Sequence, residues 1–392
     1  MAETPDRSRE RWAVSAVIPL AEPVLAGNES RYVQRCMDSG YVSSVGEFVN
    51  EFEQVFAAGI GSANAVACSS GTAALHVALR LAGASPGSLV AVSDFTFIAS
   101  ANAISYTGAD LLLVDSEPET WNMDTERLRD EVVSRAAAGR RLPDIIEAVH
   151  ILGHPVDLEP LLELRDRYGT RIVEDAAESL GGSWCAGKLA GKLVGTVGDL
   201  GCFSFNGNKI ITTGGGGMIT TDDRELAVRA KHLTNQAKLP GADYVHDVVG
   251  YNYRLNNVQA AIGLAQLESL PAALEAKRRI AARYTEALAD SPVTLAPRAK
   301  WAEPTFWLYS VLLDETAPIP ERVVPRLHER GVGARRLWSP LHAQAPYRTT
   351  ECIGGEVAER IYRRGLSMPS SVNLTDQDQE LAIAALKDLL TP

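Results

Sequence analysis

The chain has 392 residues, 46% of them hydrophobic and 22% charged, and carries a formal net charge of -11. Its length is about two to three times that of a usual domain, enough for one large domain with a smaller partner. The acidic balance, with no clustered basic face, argues against a nucleic-acid binder and for small-molecule chemistry.

No basic stretch leads into an apolar run at the N-terminus, and the longest apolar runs fall short of a membrane span, so a cytoplasmic location is expected. Cys36, Cys68, Cys185, Cys202 and Cys352 lack CxxC or Cys/His spacing, so they read as reduced small hydrophobes. His150 and His154 stand four apart, a metal-ligand spacing only on a helix, and Gly153 and Pro155 oppose a helix there. No metal is expected.

From residue 64 onward, short β-branched runs alternate with helical patterns. NAVACSS reads as a strand and TAALHVALRLAGA as a helix; LVAVSD is a strand, FIASANAISYTGA a helix and DLLLVDS a strand again. DIIEAVHI, the helical LEPLLELRDRYG and RIVEDAA repeat the rhythm. Such alternation implies a largely parallel sheet with helices on both faces. After DLGCFSF and GGGMITTDD comes a long helical region from Asn257 to Leu288, with Pro271 as an early interruption. The last hundred or so residues offer a strand in FWLYSVLLD, a helix in PERVVPRLHERG, a strand in ARRLWSPL and a final helix in QDQELAIAALKDLL. The expected division is a large domain over 1–256, a connecting helix over 257–288 and a small α+β domain over 289–392.

Three places carry candidate chemistry. In VACSSGTAALHVAL a strand runs into Ser69, Ser70, Gly71 and Thr72 and then directly into a helix. The free amides of that helix start suit a phosphate, although Ser and Thr there also serve as plain helix caps. Asp175 closes an apolar strand in RIVEDAAES, at the edge where open α/β sheets place ligands; it is either a helix cap or an anion matched to a protonated ring nitrogen. Lys209 in SFNGNKIITTGGGG has no charged neighbour between Asp199 and Asp222. A lysine in a stretch that looks buried loses proton affinity and becomes a candidate Schiff-base amine. GTVGDLG is not GxGxxG, and Gly214 to Gly217 is not followed by GK[ST], so neither nucleotide-binding fingerprint fits.

A phosphate cup, a strand-end aspartate and a buried lysine, in that order, resemble the fold-type I pyridoxal-phosphate enzymes, the aspartate aminotransferase-like α/β fold. At closer range the chain resembles the DegT/DnrJ/EryC1/StrS sugar aminotransferases, from IPLAEP at 18–23 almost to the C-terminus. The resemblance rests on GYVSSVGEFVNEFE, ACSSGTAALHVAL, DFTFIASANAISYTGA, VHILGHPVDLE, VEDAAESLGG, GDLGCFSFNGNKIITTGGGGM and GYNYRLNNVQAAIGLAQLE.

The resemblance implies that Lys209 is the Schiff-base lysine and proton carrier, and that Asp175 keeps the pyridine nitrogen protonated. It implies that Gly71, Thr72 and Ser204 bind the phosphate and that Phe95 stacks on the ring. Glu178 stands near the ring's O3′ where many members carry glutamine, and His154 stands where enzymes acting at C4 often have asparagine. Asn252 matches an asparagine supplied by the neighbouring subunit, which implies a homodimer with shared sites. The implied reaction takes an amino group from L-glutamate through pyridoxal and pyridoxamine phosphate to a nucleotide-linked keto sugar, at C4 of a 4-keto-6-deoxyhexose. Amination at C3 or of a keto-cyclitol is the alternative; an idle regulatory or sugar-sensing relative would lack Lys209 or Asp175.

Overall fold

The computed structural model describes residues 18–241 and 243–390. Two helices, α1 (Glu29–Ser39) and α2 (Glu47–Ile60), come before the first strand. The alternating part then runs β1 (Asn64–Cys68), α3 (Gly71–Leu81), β2 (Leu89–Ser93), α4 (Ala99–Thr107), β3 (Asp110–Val114) and α5 (Thr125–Ala137). It continues with β4 (Ile145–Val149), α6 (Glu159–Tyr168), β5 (Arg171–Asp175), the short β6 (Ser183–Trp184) and β7 (Leu200–Ser204). β8 (Gly217–Thr221), α7 (Arg224–Thr234) and the 31-residue α8 (Asn257–Ala287) follow. The C-terminal part holds β9 (Val293–Thr294), β10 (Ala302–Glu303), β11 (Ser310–Leu313), α9 (Pro320–Glu329) and β12 (Arg335–Arg336). It ends with β13 (Glu351–Ile353), α10 (Glu356–Arg364), β14 (Gly365–Ser367) and α11 (Asp376–Leu390).

Eight strands form one sheet in the order β1-β8-β7-β5-β4-β2-β3-β13. From β7 to β13 neighbouring strands run parallel, and β8 lies antiparallel to both β1 and β7. β2 and β4 are buried along their whole length, Glu147 of β4 included. A strand covered on both faces needs apolar residues at consecutive positions, which is why these segments stand out in the sequence. One core packs α3 against the sheet through Leu75, Leu79 and Val92. On the opposite face, Phe52 and Phe56 of α2 meet Phe205 and Phe203 with ring centroids 5.4 Å and 5.0 Å apart.

One expectation needs correction. Pro271 does not interrupt α8 but lies inside it. Proline deletes one helix hydrogen bond, and burial of Leu264 and Ala265 before it and of Ala273 and Ala276 after it outweighs that loss. The segment after residue 288 contributes strands both to a small sheet of its own and to the large one. β11, β14, β12 and β9 do form a small sheet over a third core with Tyr284, Leu327 and Leu386. β13, however, pairs in parallel with β3, and β10 pairs with β6. Without β13 the edge of β3 would present unpaired amides and carbonyls, so the C-terminal segment closes the large sheet.

The ends of β1, β2, β4, β5 and β7 all open toward one cavity, with the start of β8 between them. This is the carboxyl edge, where the loops of parallel strands converge.

Candidate active site

The cavity has a volume of about 320 Å³ and is lined by Thr72, Phe97, Asp175, Lys209, Trp307 and Arg335, among others. A larger open depression of about 670 Å³ lies over α10, lined by Arg360 and Glu359, but none of the residues singled out in the sequence reaches it.

Lys209 follows β7 in a turn in which its amide donates to the Asn206 carbonyl at 3.0 Å. Its Nζ lies 3.6 Å from Glu178 Oε1 and 3.9 Å from the centroid of the Trp307 ring. Burial lowers the proton affinity of this amine, and the charges of Glu178 and Asp175 work against that shift. Trp307 is held from two sides: its Nε1 donates to the Asn208 carbonyl at 2.6 Å, and its carbonyl accepts from Lys277 Nζ at 2.8 Å. Lys277 is itself buried and also donates to the Ser370 carbonyl, and burial brings its amine down to about 7.

Asp175 ends β5. One carboxyl oxygen accepts from Ser100 Oγ at 2.8 Å and the other from the Ala177 amide at 3.1 Å. Burial pushes its carboxyl up, while those two donors and the Lys209 charge pull it back. A buried carboxylate in this position gains most from a cationic partner inside the cavity. Glu178, one turn further on, accepts from the Leu152 amide at 2.8 Å and turns its other oxygen to Lys209. Burial raises it as well, against the Lys209 charge.

At the first turn of α3, Ser70 caps the helix by accepting from the Ala73 amide at 3.1 Å. The amides of Gly71 and Thr72, at the first helical positions, have no acceptor within the helix, and both residues line the cavity together with Ser204. A Cβ on Gly71 would fall 2.7 Å from Ser204 Cβ, and one on Gly217 would fall 2.4 Å from the Ser70 carbonyl oxygen. Both glycines are therefore required for β7, β8 and α3 to close around one small anion. The cup, the aspartate and the lysine amine together match the phosphate, the ring nitrogen and the aldehyde of pyridoxal phosphate.

The structure redistributes some of the expected residues. Phe95 is fully buried 5.7 Å from the Trp338 ring and does not line the cavity; Phe97, which is 52% exposed, does. The chain bends at residues 94–96, which turns Phe95 into the core and leaves Phe97 as the ring facing a ligand. Asn252 is exposed, bridges Asn235 through the backbone and does not line the cavity of its own chain. His154 is also outside the cavity: its ring hydrogen-bonds the Pro155 carbonyl and the Ala299 amide, and burial drives it down to about 4. His150 accepts from the Val156 amide through Nδ1, so Nε2 carries the proton toward Glu174 at 3.0 Å. Ser100, Trp307, Trp338 and Arg335 line the cavity and were not singled out in the sequence. Nothing local marks them, because they arrive from α4 and from the C-terminal part.

The model of the DegT/DnrJ/EryC1/StrS aminotransferase family matches residues 23–387. The chain is 41% identical to the GDP-perosamine synthase of Caulobacter vibrioides over 95% of this chain and 98% of that protein. It is 39% identical to the GDP-perosamine synthase of Escherichia coli O157:H7 over 92% of this chain and 95% of that one. A crystal structure of a DegT DnrJ EryC1 StrS aminotransferase from Brucella abortus superimposes with a TM-score of 0.85 at 29% identity, covering 93% of this chain and 96% of that chain. The fold, the converging site and these likenesses agree, and the chain belongs to the DegT/DnrJ/EryC1/StrS aminotransferase family, whose chemistry depends on pyridoxal phosphate.

Proposed function

We propose that this aminotransferase moves the amino group of L-glutamate to C4 of a nucleotide-linked 4-keto-6-deoxyhexose, for amino-sugar biosynthesis. The observation that carries the reading is the convergence of Lys209, Asp175 and the α3 cup in one cavity. The two relatives named GDP-perosamine synthase, at 41% and 39% identity, support the choice of C4 over the C3 chemistry named for a relative at 33%.

Pyridoxal phosphate, when bound, supplies an electron sink and carries the amino group between donor and acceptor. The amides of Gly71 and Thr72 and the hydroxyls of Thr72 and Ser204 would hold its phosphate, with the helix dipole behind them. Asp175 would accept a hydrogen bond from the protonated ring nitrogen, and Ser100 and the Ala177 amide fix the carboxylate for that contact. Lys209 Nζ would remove and return the proton at the carbon being aminated or deaminated, and burial, which lowers its proton affinity, favours that role. Phe97 and Trp338 would cover the ring, and Arg335 would offer a guanidinium to a substrate carboxylate or phosphate.

A homodimer with shared sites belongs to the same reading. Tyr41, Val42, Val45, Tyr244 and Val249 are large apolar side chains left exposed on the single chain, a surface suited to a second copy. Asn252 then serves the partner's cavity. The five cysteines are all free, which suits the reducing cytoplasm.

The test is to incubate the enzyme with L-glutamate and a panel of nucleotide-linked 3-keto and 4-keto sugars and to measure 2-oxoglutarate. Turnover with 4-keto sugars is expected; turnover confined to 3-keto sugars or keto-cyclitols would overturn the C4 assignment.

A further inference from the structure

Glu147 is the middle residue of β4, in register with Val92 on β2 and Val173 on β5. Its side chain is fully buried, and neither carboxyl oxygen has a hydrogen-bond partner among the described residues. Two positions along the same strand, Val149 lines the cavity and is the register partner of Asp175. Side chains two apart share a sheet face, so Glu147 lies on the face of Asp175, one step deeper.

The groups that act on it from the surrounding elements are Asp175 of β5 and Ser100 of α4. It acts in turn on Cys202 of β7 and on Tyr347 in the C-terminal part. None of these is a cation. Burial and the Asp175 charge both favour the protonated form of Glu147; Ser100 acts weakly the other way, but its hydroxyl proton is already given to Asp175 at 2.8 Å. Asp175 is buried too, and burial raises it as well, but it has two hydrogen-bond donors and the Lys209 charge nearby. Where two neighbouring carboxyl groups sit in environments this unequal, the proton stays with one and the charge with the other.

We propose that Glu147 and Asp175 form a one-proton carboxyl pair under the cofactor site, in which Glu147 is the neutral acid and Asp175 the single charge offered to the ring nitrogen. Glu147 is thus a positioning residue, setting the number of negative charges beneath the ring. The proposal rests on the assignment of Asp175 as the ring-nitrogen partner.

In the unfolded chain Glu147 ionises at an ordinary carboxyl value, whereas in the folded protein it keeps its proton. Its contribution is therefore fully present below the unfolded value and is lost as pH rises toward the folded one, by about tenfold in the folding constant per pH unit. Glu147→Gln has no such proton. The experiment takes the purified holoenzyme and its Glu147→Gln variant and records the infrared carbonyl stretch of protonated carboxyl groups at neutral pH, in water and in deuterium oxide. A band present in the wild type, sensitive to deuterium and absent from the variant is expected; absence of that band in the wild type overturns the proposal. Urea unfolding from pH 5 to 8 should show the variant gaining about tenfold per unit over the wild type, and a pH-independent ratio overturns it equally. If Glu147→Gln does not fold, Glu147→Leu serves in both measurements. Asp175→Asn separates the two readings: an unchanged cofactor absorption band there would sink the role of Asp175, while the Glu147 band reports on the proton by itself.

Discussion

Gly71→Ala tests the phosphate cup at its narrowest point. The new Cβ would lie 2.7 Å from Ser204 Cβ, 3.0 Å from its Oγ and 3.3 Å from its Cα. Carbon atoms rest at about 3.5–4.0 Å, so Ser204 or the start of α3 must shift by about 1 Å. Gly71 is not in the left-handed region, so alanine itself adds no backbone strain and slightly favours the helix. Overpacking of this kind costs about 1–3 kcal/mol of folding, and the same shift moves a phosphate donor out of place. Losing one hydrogen bond to a charged phosphate is worth about 1.5–3 kcal/mol, or roughly 10- to 150-fold in the dissociation constant. The assay titrates cofactor-free enzyme with pyridoxal phosphate and, separately, with pyridoxal, which lacks the phosphate. Affinity for the first should fall by that factor while affinity for the second stays unchanged. Gly207→Ala, where an added Cβ meets nothing within 4 Å, should bind both like the wild type. Equal losses for pyridoxal and its phosphate, or wild-type affinity for both, would refute the reasoning.

Asp175→Asn should retain cofactor better than activity, with the half-reaction with glutamate slowed about 10²- to 10³-fold in stopped-flow absorption, as when one preorganised electrostatic partner is lost. Lys209→Ala and an inactive Asn252→Ala, mixed under conditions of subunit exchange, should recover activity up to half per heterodimer; verified exchange without recovery would place Asn252 outside a shared site. Arg335→Ala should raise KM for one of the two substrates far more than it lowers kcat, read from steady-state kinetics with each substrate varied in turn. Glu174 accepts from the amides of Gly195, Val197 and Gly198 and pairs with His150; burial alone would raise its carboxyl, but these partners hold it below the usual range. Glu174→Gln should cost about 1.5–3 kcal/mol in thermal or urea unfolding, the scale of hydrogen bonds to a charged acceptor. The wild-type advantage should fade as pH falls through the depressed value, because a lowered carboxyl contributes only while ionised.

The sequence by itself determined the alternating strands and helices, since a strand covered on both faces must be apolar at successive positions, as LVAVS is in β2. It marked the start of α3, where Ser70 followed by Gly71 and Thr72 satisfies a helix end, and it marked Lys209 as a lone cation in an otherwise uncharged stretch. These are local properties, and local spacing reports them. Tertiary structure alone decided which residues share the cavity. The bend at 94–96 leaves Phe97 rather than Phe95 lining the cavity, and β13 returns to cover the edge of β3, pairing Glu351 with Leu112. Trp307, Trp338 and Arg335 come to Lys209 from more than ninety residues away, so no window of sequence contains them together. Glu147 is the sharpest case: within DIIEAVHI it breaks an apolar run and carries no other signal. Its meaning comes from a neighbouring strand, because hydrogen-bond partners and dielectric surroundings, which set where a proton resides, are fixed only when β4 and β5 pair.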